Sequence, residues 1–405
     1  MWMRHSVLSR HTTKEVRRIA ASVAVFLAVG ACTLVLPQTS VQPNDPVAKL
    51  AKRLETRDAQ LDYSERWGYL QSLLKQLDIS TDSQILVFSK TSLQQEKIGP
   101  KTPRAVFFND TVAVGSVQNG ELFEITVSDA DTGVNFYVVQ TKKVDSALIE
   151  SDRFLCLQCH NARFTPQTLV ATVYPSADGT PAFLGGDLFH VTDSRTPFED
   201  RWGGWYVTGT HGKMQHLGNA VAQNPYRPVE LETKGTQNIT SLTSKFDVSP
   251  YLQPTSDLIA LMTFEHQTRA HYYMAALNAQ FKSGKAKPED LDAAVQNLVS
   301  YLTFSDEAKL TDPIKGVSTF TETFPMRGPQ DSKGRSLRDF DLKTRLFRYP
   351  LSYTVYSSVF DQMVPEARNR VYRGLFDALS GSGAEKRAAL EILRDTKAGL
   401  PEYWQ

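Results

Sequence analysis

The sequence predicts an α+β protein in which a small antiparallel sheet precedes a mainly helical C-terminal half. Between residues 81 and 143, apolar and polar side chains alternate with a period of two. Asn119-Gly120 and Asp131-Thr132-Gly133 separate three of these runs and are typical hairpin turns. From residue 256 onward, apolar side chains recur at helical spacing, and Pro288 stands where a first helical turn begins. The two periods together define the fold class.

The elements follow from these patterns in order along the chain. Spaced leucines predict that residues 47–77 are mostly helical. Alternation predicts strands in 84–90, 104–110, 121–129 and 133–142, and the returning helical period predicts helices at 256–281, 289–304, 365–380 and 384–396.

The chain is divided accordingly into six parts. Glycine, aromatic residues and histidine without a sustained period are typical of a chain that wraps around a cofactor. The parts are an N-terminal signal or anchor (1–36), a helical segment (47–80), an antiparallel β domain (81–150), a cofactor-binding segment (151–225), a polar loop or linker (226–255) and a helical domain (256–405).

Composition excludes some classes of function. The 405 residues contain 45 Lys and Arg against 44 Asp and Glu, a net charge of +1, and 41% are hydrophobic. That hydrophobic fraction is typical of a globular protein, not a disordered one. Because the charges balance, no overall field attracts nucleic acid, and we expect no nucleic-acid partner.

The N-terminus has the features of an export signal. Arg17 and Arg18 end a basic stretch and precede an apolar run from Ile19 to Leu36. Within it, Val29-Gly30-Ala31-Cys32 resembles a lipobox, which predicts lipidation of Cys32. Alternatively, the whole run approaches the lower limit of about 17 to 25 residues for a spanning helix, and would be an uncleaved anchor. Both alternatives place the remaining chain on the periplasmic side of a bacterial membrane.

A C-x-x-C-H motif at residues 156–160 is the most specific chemical signal in the chain. On one helical turn, residues i, i+3 and i+4 point the same way. Cys156 and Cys159 could therefore form thioethers with the two vinyl groups of one haem, with His160 beneath the iron. We predict one covalently attached haem c, with His160 as the proximal ligand.

The alternatives for these cysteines are a thioredoxin-type redox pair and half of a zinc site. A redox pair is expected in a strand–turn–helix context, and zinc needs two further ligands. The chain has only three cysteines in all, so no other cysteine pair can supply them. The histidine directly after Cys159 therefore favours haem.

Several side chains are candidates for the distal position on the iron. Met214 lies at a suitable distance along the chain, with His211 and His216 on either side of it. His266 is a further candidate on a predicted helix, whereas hydrogen-bonded histidines without iron are the commoner case. His266 and His271 do not form a chelating pair, because five residues rotate about 140° around a helix.

The stretch 195–212 contains paired glycines between two tryptophans. Glycines allow the backbone to approach a flat porphyrin, and Trp202 and Trp205 could pack on its face or edge. Arg201 could pair with a propionate. An ordinary aromatic turn explains the same residues equally well.

The mature chain resembles a family of large, uncharacterised mono-haem cytochrome c domain proteins of environmental bacteria. The resemblance supports Cys156, Cys159 and His160 at the haem and includes His211, His216, His266 and His271, but not His190 or Met214. It therefore shifts the distal prediction to His211 or His216. The matching segments are VFSKTSLQ (87–94), PRAVFFND (103–110), CLQCHNARFT (156–165), PFEDRWGGWYVTGTHG (197–212), EHQTRAH (265–271), RLFRYPLSYTVYS (345–357) and ILRDTKAGLPEYW (392–404).

The expected function is electron transfer by a periplasmic, membrane-anchored haem c protein, with a redox partner protein. A peroxidase-like enzyme would instead keep the sixth position open and use His211 or His216 as an acid–base group. A haem-based redox or gas sensor is a third class, since the position of the motif after a β-rich segment loosely resembles PAS-like haem sensors. Such a sensor would need an output module, which the sequence lacks.

Overall fold

The computed structural model describes residues 44–160, 168–182, 189–223 and 231–404. The predicted export segment and Cys32 lie outside the described residues. Among the described residues, no helix combines the length and apolar character needed to cross a membrane.

A seven-stranded antiparallel sheet forms the first half of the structure. Its spatial order is β6-β5-β4-β3-β2-β1-β9, so that each hairpin partner is a sheet neighbour and β9 returns to the β1 edge. The strands are Ile85–Val87 (β1), Arg104–Phe108 (β2), Val112–Ser116 (β3), Leu122–Asp129 (β4), Gly133–Gln140 (β5), Ile149–Ser151 (β6) and Trp205–Tyr206 (β9), with Ala171–Val173 (β7) and Phe189–Val191 (β8) in a separate two-stranded ribbon.

Both faces of the sheet are covered. On one face, Phe107 and Ile125 share an apolar cluster with Leu50 and Leu73, which come from the helices Pro46–Glu55 (α1) and Leu70–Gln76 (α2). On the other face, the ring of Phe108 packs against a long central helix. The antiparallel sheet predicted from the period-two runs is therefore confirmed, and its two covered faces explain why seven of the eight residues of strand β5 are buried.

The helical half is arranged around that central helix. It is Leu258–Ser283 (α4), and it is buried on most sides because the sheet lies on one side and other helices lie on the rest. The helices predicted in this half are confirmed with small changes at their ends. The other helices are Arg153–Cys159 (α3), Pro288–Leu302 (α5), Phe320–Met326 (α6), Ser358–Gln362 (α7), Pro365–Leu379 (α8) and Ala384–Thr396 (α9).

Asp257 fixes the start of α4. One carboxylate oxygen accepts hydrogen bonds from the backbone N–H groups of Ile259 and Ala260, at 2.8 and 3.2 Å. The other accepts from the N–H groups of Val317 and Ser318, at 2.7 and 2.8 Å. The side chain is fully buried, so a single residue caps the helix and also ties a distant loop to it.

The predicted helix over 47–77 is interrupted, which corrects that expectation. The chain leaves the helix after Glu55 and resumes it at Leu70. Gly68 lies between them with φ +58°, and a Cβ there would lie 2.7 Å from the carbonyl oxygen of Thr141. The leucine pattern continues through this break because the connecting segment also packs on the sheet, so spacing alone did not reveal it.

Candidate functional site

The C-x-x-C-H motif lies on the short helix α3 and at its C-terminal end. The Asp152 carboxylate caps the helix by accepting from Leu155 N–H at 3.2 Å. The N–H of His160 donates to the carbonyl of Cys156 at 2.9 Å, directly after the last helical residue, Cys159. The two cysteines are therefore one helical turn apart, and the histidine follows at once, as the sequence predicted.

Helix α3 is attached to strand β5 by backbone and ring contacts. The N–H of Asp152 donates to the Phe136 carbonyl at 3.1 Å, and Arg153 donates to the Val134 carbonyl at 3.4 Å. The imidazole of His160 packs against the Phe136 ring, with centroids 5.4 Å apart. A rigid strand therefore determines where the proposed proximal ligand lies.

Exposed apolar side chains concentrate around this helix. Phe154 is 81% exposed and Leu155 44%, and on the approach to the helix Leu148 is 45% and Val144 39% exposed. In the described part of the chain, only two other large apolar side chains, Leu93 and Met326, are comparably exposed. Four exposed apolar side chains within twelve residues are an unusual concentration for the described part of the chain.

His211 and His216 form a buried cluster at another place in the fold. Their ring centroids are 4.8 Å apart, and the rings of Phe198 and Trp202 pack against them. Burial lowers the pKa of His211, and it lowers the pKa of His216 to about 3, helped by the neighbouring His211. Both imidazoles are therefore neutral at physiological pH.

The hydrogen bonds of the two rings fix their tautomers. The Nδ1–H of His211 donates to the Met214 carbonyl at 2.8 Å, and its Nε2 accepts from Asn238 N–H at 3.0 Å. The Nδ1 of His216 accepts from Gly218 N–H at 3.0 Å, so its proton lies on Nε2. Neither ring presents a spare lone pair, and ligation of iron by either would first require these bonds to break.

The sheet order separates this cluster from the haem motif. His160 packs on β5, whereas His216 packs against Trp202, close to β9 at the far edge. Five strand spacings lie between β5 and β9, or about 24 Å along the sheet at about 4.8 Å each. Along the sheet, the strand that contacts His160 and the strand nearest the His211 and His216 cluster are therefore well separated.

Met214 and His266, the other two distal candidates, lie in the interior. Met214 is buried beside the His211 turn. The Nε2 of His266 pairs with the Ser352 hydroxyl at 2.7 Å, and the imidazole stacks on the Tyr301 ring at 5.1 Å. His190, on β8, pairs with the Asp200 carbonyl at 3.0 Å.

Arg201 is buried, and its side chain forms an ion pair in the interior. Its guanidinium donates to Glu265 at 3.0 Å and to the carbonyls of Ser194 and Thr196 at 3.0 and 2.5 Å. Glu265 also accepts from the Thr192 hydroxyl at 2.5 Å, and burial raises its pKa. These contacts give Arg201 a structural role that the sequence did not indicate.

The two tryptophans and the glycines between them pack against the β7–β8 ribbon. Trp202 is fully buried, and the indole N–H of Trp205 donates to the Ala171 carbonyl at 2.9 Å. A Cβ on Gly203 would lie 2.3 Å from the Val173 carbonyl oxygen. The close backbone approach predicted for the glycines is present, but the group they approach is strand β7.

Two features of the site escaped the sequence analysis. Phe154 and Leu155 are exposed on helix α3 just before Cys156, but an apolar pair within a helix is usually interpreted as part of the core from sequence. His271 is fully buried, and neither of its ring nitrogens has a hydrogen-bond partner, which no sequence pattern signals.

Among the described residues, no group of three or more His, Cys, Asp or Glu side chains is arranged to hold a bare metal ion. Comparison of the chain with protein-family models, curated proteins and solved structures gave no match. The resemblance to mono-haem cytochrome c domain proteins therefore stays a prediction from the motifs.

Proposed function

We propose that this protein is an exported, membrane-anchored c-type cytochrome that transfers electrons through one covalently bound haem. The observation that carries the proposal is the C-x-x-C-H helix α3 itself. Its two cysteines are one turn apart, and uncovered apolar side chains lie beside them. A haem attached there would have the exposed apolar side chains of the same helix, Phe154 and Leu155, as neighbours.

The residues of α3 divide the binding tasks between them. Cys156 and Cys159 would hold the haem through thioether bonds, and His160 would be the proximal ligand. When bound, the haem supplies an iron that changes between ferric and ferrous states. Phe136 packs against the imidazole of His160 and so restricts its rotation. A fixed axial imidazole keeps the potential of the iron well defined.

The surface position of α3 suits a carrier. Outer-sphere electron transfer needs only an exposed haem edge near a partner protein. The exposed Phe154 and the half-exposed Leu148 would offer apolar contacts to such a partner. Weak redox encounters typically bury small interfaces, and a few apolar side chains are appropriate for one. The partner would be another redox protein of the same compartment.

The distal ligand is proposed from the sequence alone, with His211 or His216 preferred to Met214 and His266. The contacts described above give the opposite expectation for both preferred histidines. Replacing His211 and, separately, His216 by alanine decides between the sequence prediction and the expectation from these contacts. Loss of a six-coordinate spectrum in either variant supports the sequence prediction, and an unchanged spectrum in both supports a ligand from elsewhere.

Ligand-exchange chemistry tests the carrier function. The full-length protein would be titrated with carbon monoxide in the ferrous state and with peroxide in the ferric state. The proposal predicts little binding, no turnover of an added electron donor, and fast reduction by a small cytochrome. Rapid peroxide turnover would contradict electron transfer and indicate an enzyme.

A matched pair of cysteine variants tests the two halves of the proposal separately. Cys156→Ala should lose one of the two thioether bonds, and so should not retain full covalent haem, while the protein remains in the membrane fraction. Cys32→Ala should keep covalent haem but lose a lipid attached there. Because the two cysteines have independent roles in the proposal, failure of one prediction leaves the other intact.

A further inference from the structure

A small cavity with two arginines lies between the β2–β3 turn and helix α6, away from the haem motif. Its volume is about 160 Å³. Three phenylalanine rings line it, those of Phe108, Phe320 and Phe324. The other lining residues are polar or charged, namely Asp78, Asn109, Asp110, Thr111, Arg327 and Arg338. The walls thus combine apolar rings with charges of both signs.

Arg338 is the most informative of these side chains, because it is 97% buried and incompletely paired. The exposed fraction of its side chain is 3%. One terminal nitrogen, Nη2, pairs with the Asp110 carboxylate, while Nε and Nη1 have no hydrogen-bond partner. The rings of Phe324 and Tyr353 each lie 4.7 Å from the guanidinium carbon. A buried donor without an acceptor is destabilising, so an acceptor bound in the cavity would stabilise this group.

A second arginine at the same cavity is also loosely paired. Arg327 lies 3.7 Å from Asp82 Oδ1, too far for a hydrogen bond, and that oxygen has no partner. The other oxygen of Asp82 accepts from the hydroxyls of Thr319 and Thr323. Arg327 is one-third exposed, so it can turn toward a molecule in the cavity.

We propose that this cavity binds a small zwitterion of the amino-acid type. Two arginines and two aspartates line it, so the formal charge of the wall is zero. A simple anion would meet Asp78 and Asp110, and a simple cation would meet the arginines. A zwitterion satisfies both signs. Its carboxylate would accept from Arg338 and Arg327, and its ammonium group would lie near Asp110 and the phenylalanine rings.

The size of the cavity limits the ligand. An engineered apolar cavity of about 150 Å³ admits benzene, so about 160 Å³ accommodates a molecule with roughly six to eight non-hydrogen atoms. Glycine, alanine and serine are in or below this range, whereas an aromatic amino acid exceeds it. The class of ligand is therefore the small α-amino acids.

Isothermal titration calorimetry of the full-length protein in detergent tests the proposal. The probes are glycine, L-alanine and L-serine at up to millimolar concentration, with propionate and propylamine as single-charge analogues. We expect at least one amino acid to bind, and each analogue to bind about tenfold more weakly or worse, because a charge-assisted hydrogen bond contributes about 1.5 to 3 kcal/mol.

Variants locate the binding in this cavity. Arg327→Gln should weaken binding at least about tenfold without unfolding the protein, because the side chain is partly exposed. Arg345→Gln is the matched control. Arg345 pairs with Glu385 and does not line the cavity, so this variant should bind normally. Absence of binding by all three amino acids, equal binding of propionate, or normal binding by Arg327→Gln would each overturn the proposal.

Discussion

Acidification is expected to destabilise this fold through His271 on helix α4. The imidazole is buried, and neither ring nitrogen has a hydrogen-bond partner. Burial lowers its pKa to about 4, and the attraction of Asp110 opposes this only in part. In the unfolded chain its pKa returns to about 6.5, so between these values the unfolded state binds more protons than the folded state. Stability is therefore highest above pH 6.5 and falls as pH decreases toward 4.

The magnitude follows from these two pKa values. At about pH 5 the unfolded imidazole is almost fully protonated and the folded one is mostly neutral, which lowers the free energy of unfolding by about 2 kcal/mol relative to about pH 7.5. Urea denaturation at the two pH values measures the total loss of stability, to which the buried His216 and His266 also contribute because their pKa values are lowered to about 3. His271→Leu removes the titration, so its loss of stability on acidification should be smaller by about 2 kcal/mol.

A control on the same helix separates titration from packing. Met274 is also fully buried on α4 and does not titrate. Met274→Leu should lower stability by less than about 1.5 kcal/mol at both pH values and keep the pH dependence of the wild type. The reasoning is refuted if His271→Leu shows the same loss of stability between the two pH values as the wild type.

Three further variants have defined outcomes. Asp257→Ala should lower the free energy of unfolding by about 3 kcal/mol, measured by urea denaturation, because it removes the α4 cap and orphans buried N–H groups. Arg201→Met should lower it by about 3 to 5 kcal/mol, and adding Glu265→Gln should recover part of this loss, because an unpaired buried carboxylate is then neutralised. Phe154→Ser should change stability by less than about 0.5 kcal/mol, because the side chain is exposed. If the proposed haem is attached to α3, the same variant should lower its midpoint potential, measured by potentiometry, because the surroundings of the iron become more polar. An unchanged potential would show that Phe154 does not contact the haem.

Most of the fold could be predicted from the sequence because apolar side chains recur with clear periods in the strands and helices. Alternation in β4 places Phe123, Ile125 and Val127 on one buried face, as the structure has them. Strand β9 was missed because it has only two residues and pairs with β1 after a long excursion of the chain. Such a pairing depends on tertiary contacts, which no local period encodes.

The sequence predicted the candidate site only where a motif has a fixed local geometry. The spacing of Cys156, Cys159 and His160 requires no more than one helical turn, and that turn is formed. A distal ligand, by contrast, must come from a remote segment. The position of His211 along the chain does not indicate its position in space, because the neighbouring strand β9 joins the sheet next to β1, four strands beyond β5's neighbour β4.

The charged residues illustrate the same limit. Arg201 beside two tryptophans suggested a propionate partner, but the guanidinium pairs with Glu265 from the central helix. The sequence separation between the two residues hides that pair. Only the packing of α4 against the 195–207 segment brings the opposite charges together, and a buried arginine needs such a partner.

Mass spectrometry of a single tryptic peptide tests the central claim most directly. Trypsin should cleave after Arg153 and Arg163 and release residues 154–163, which contain both cysteines of the motif. If the protein is a c-type cytochrome, this peptide from the native source carries the mass of one haem after denaturation in acid–acetone, and the corresponding peptide from a Cys156→Ala and Cys159→Ala double variant does not. An unmodified peptide from protein that was exported and folded, or haem that is extracted freely by the solvent, would contradict the account.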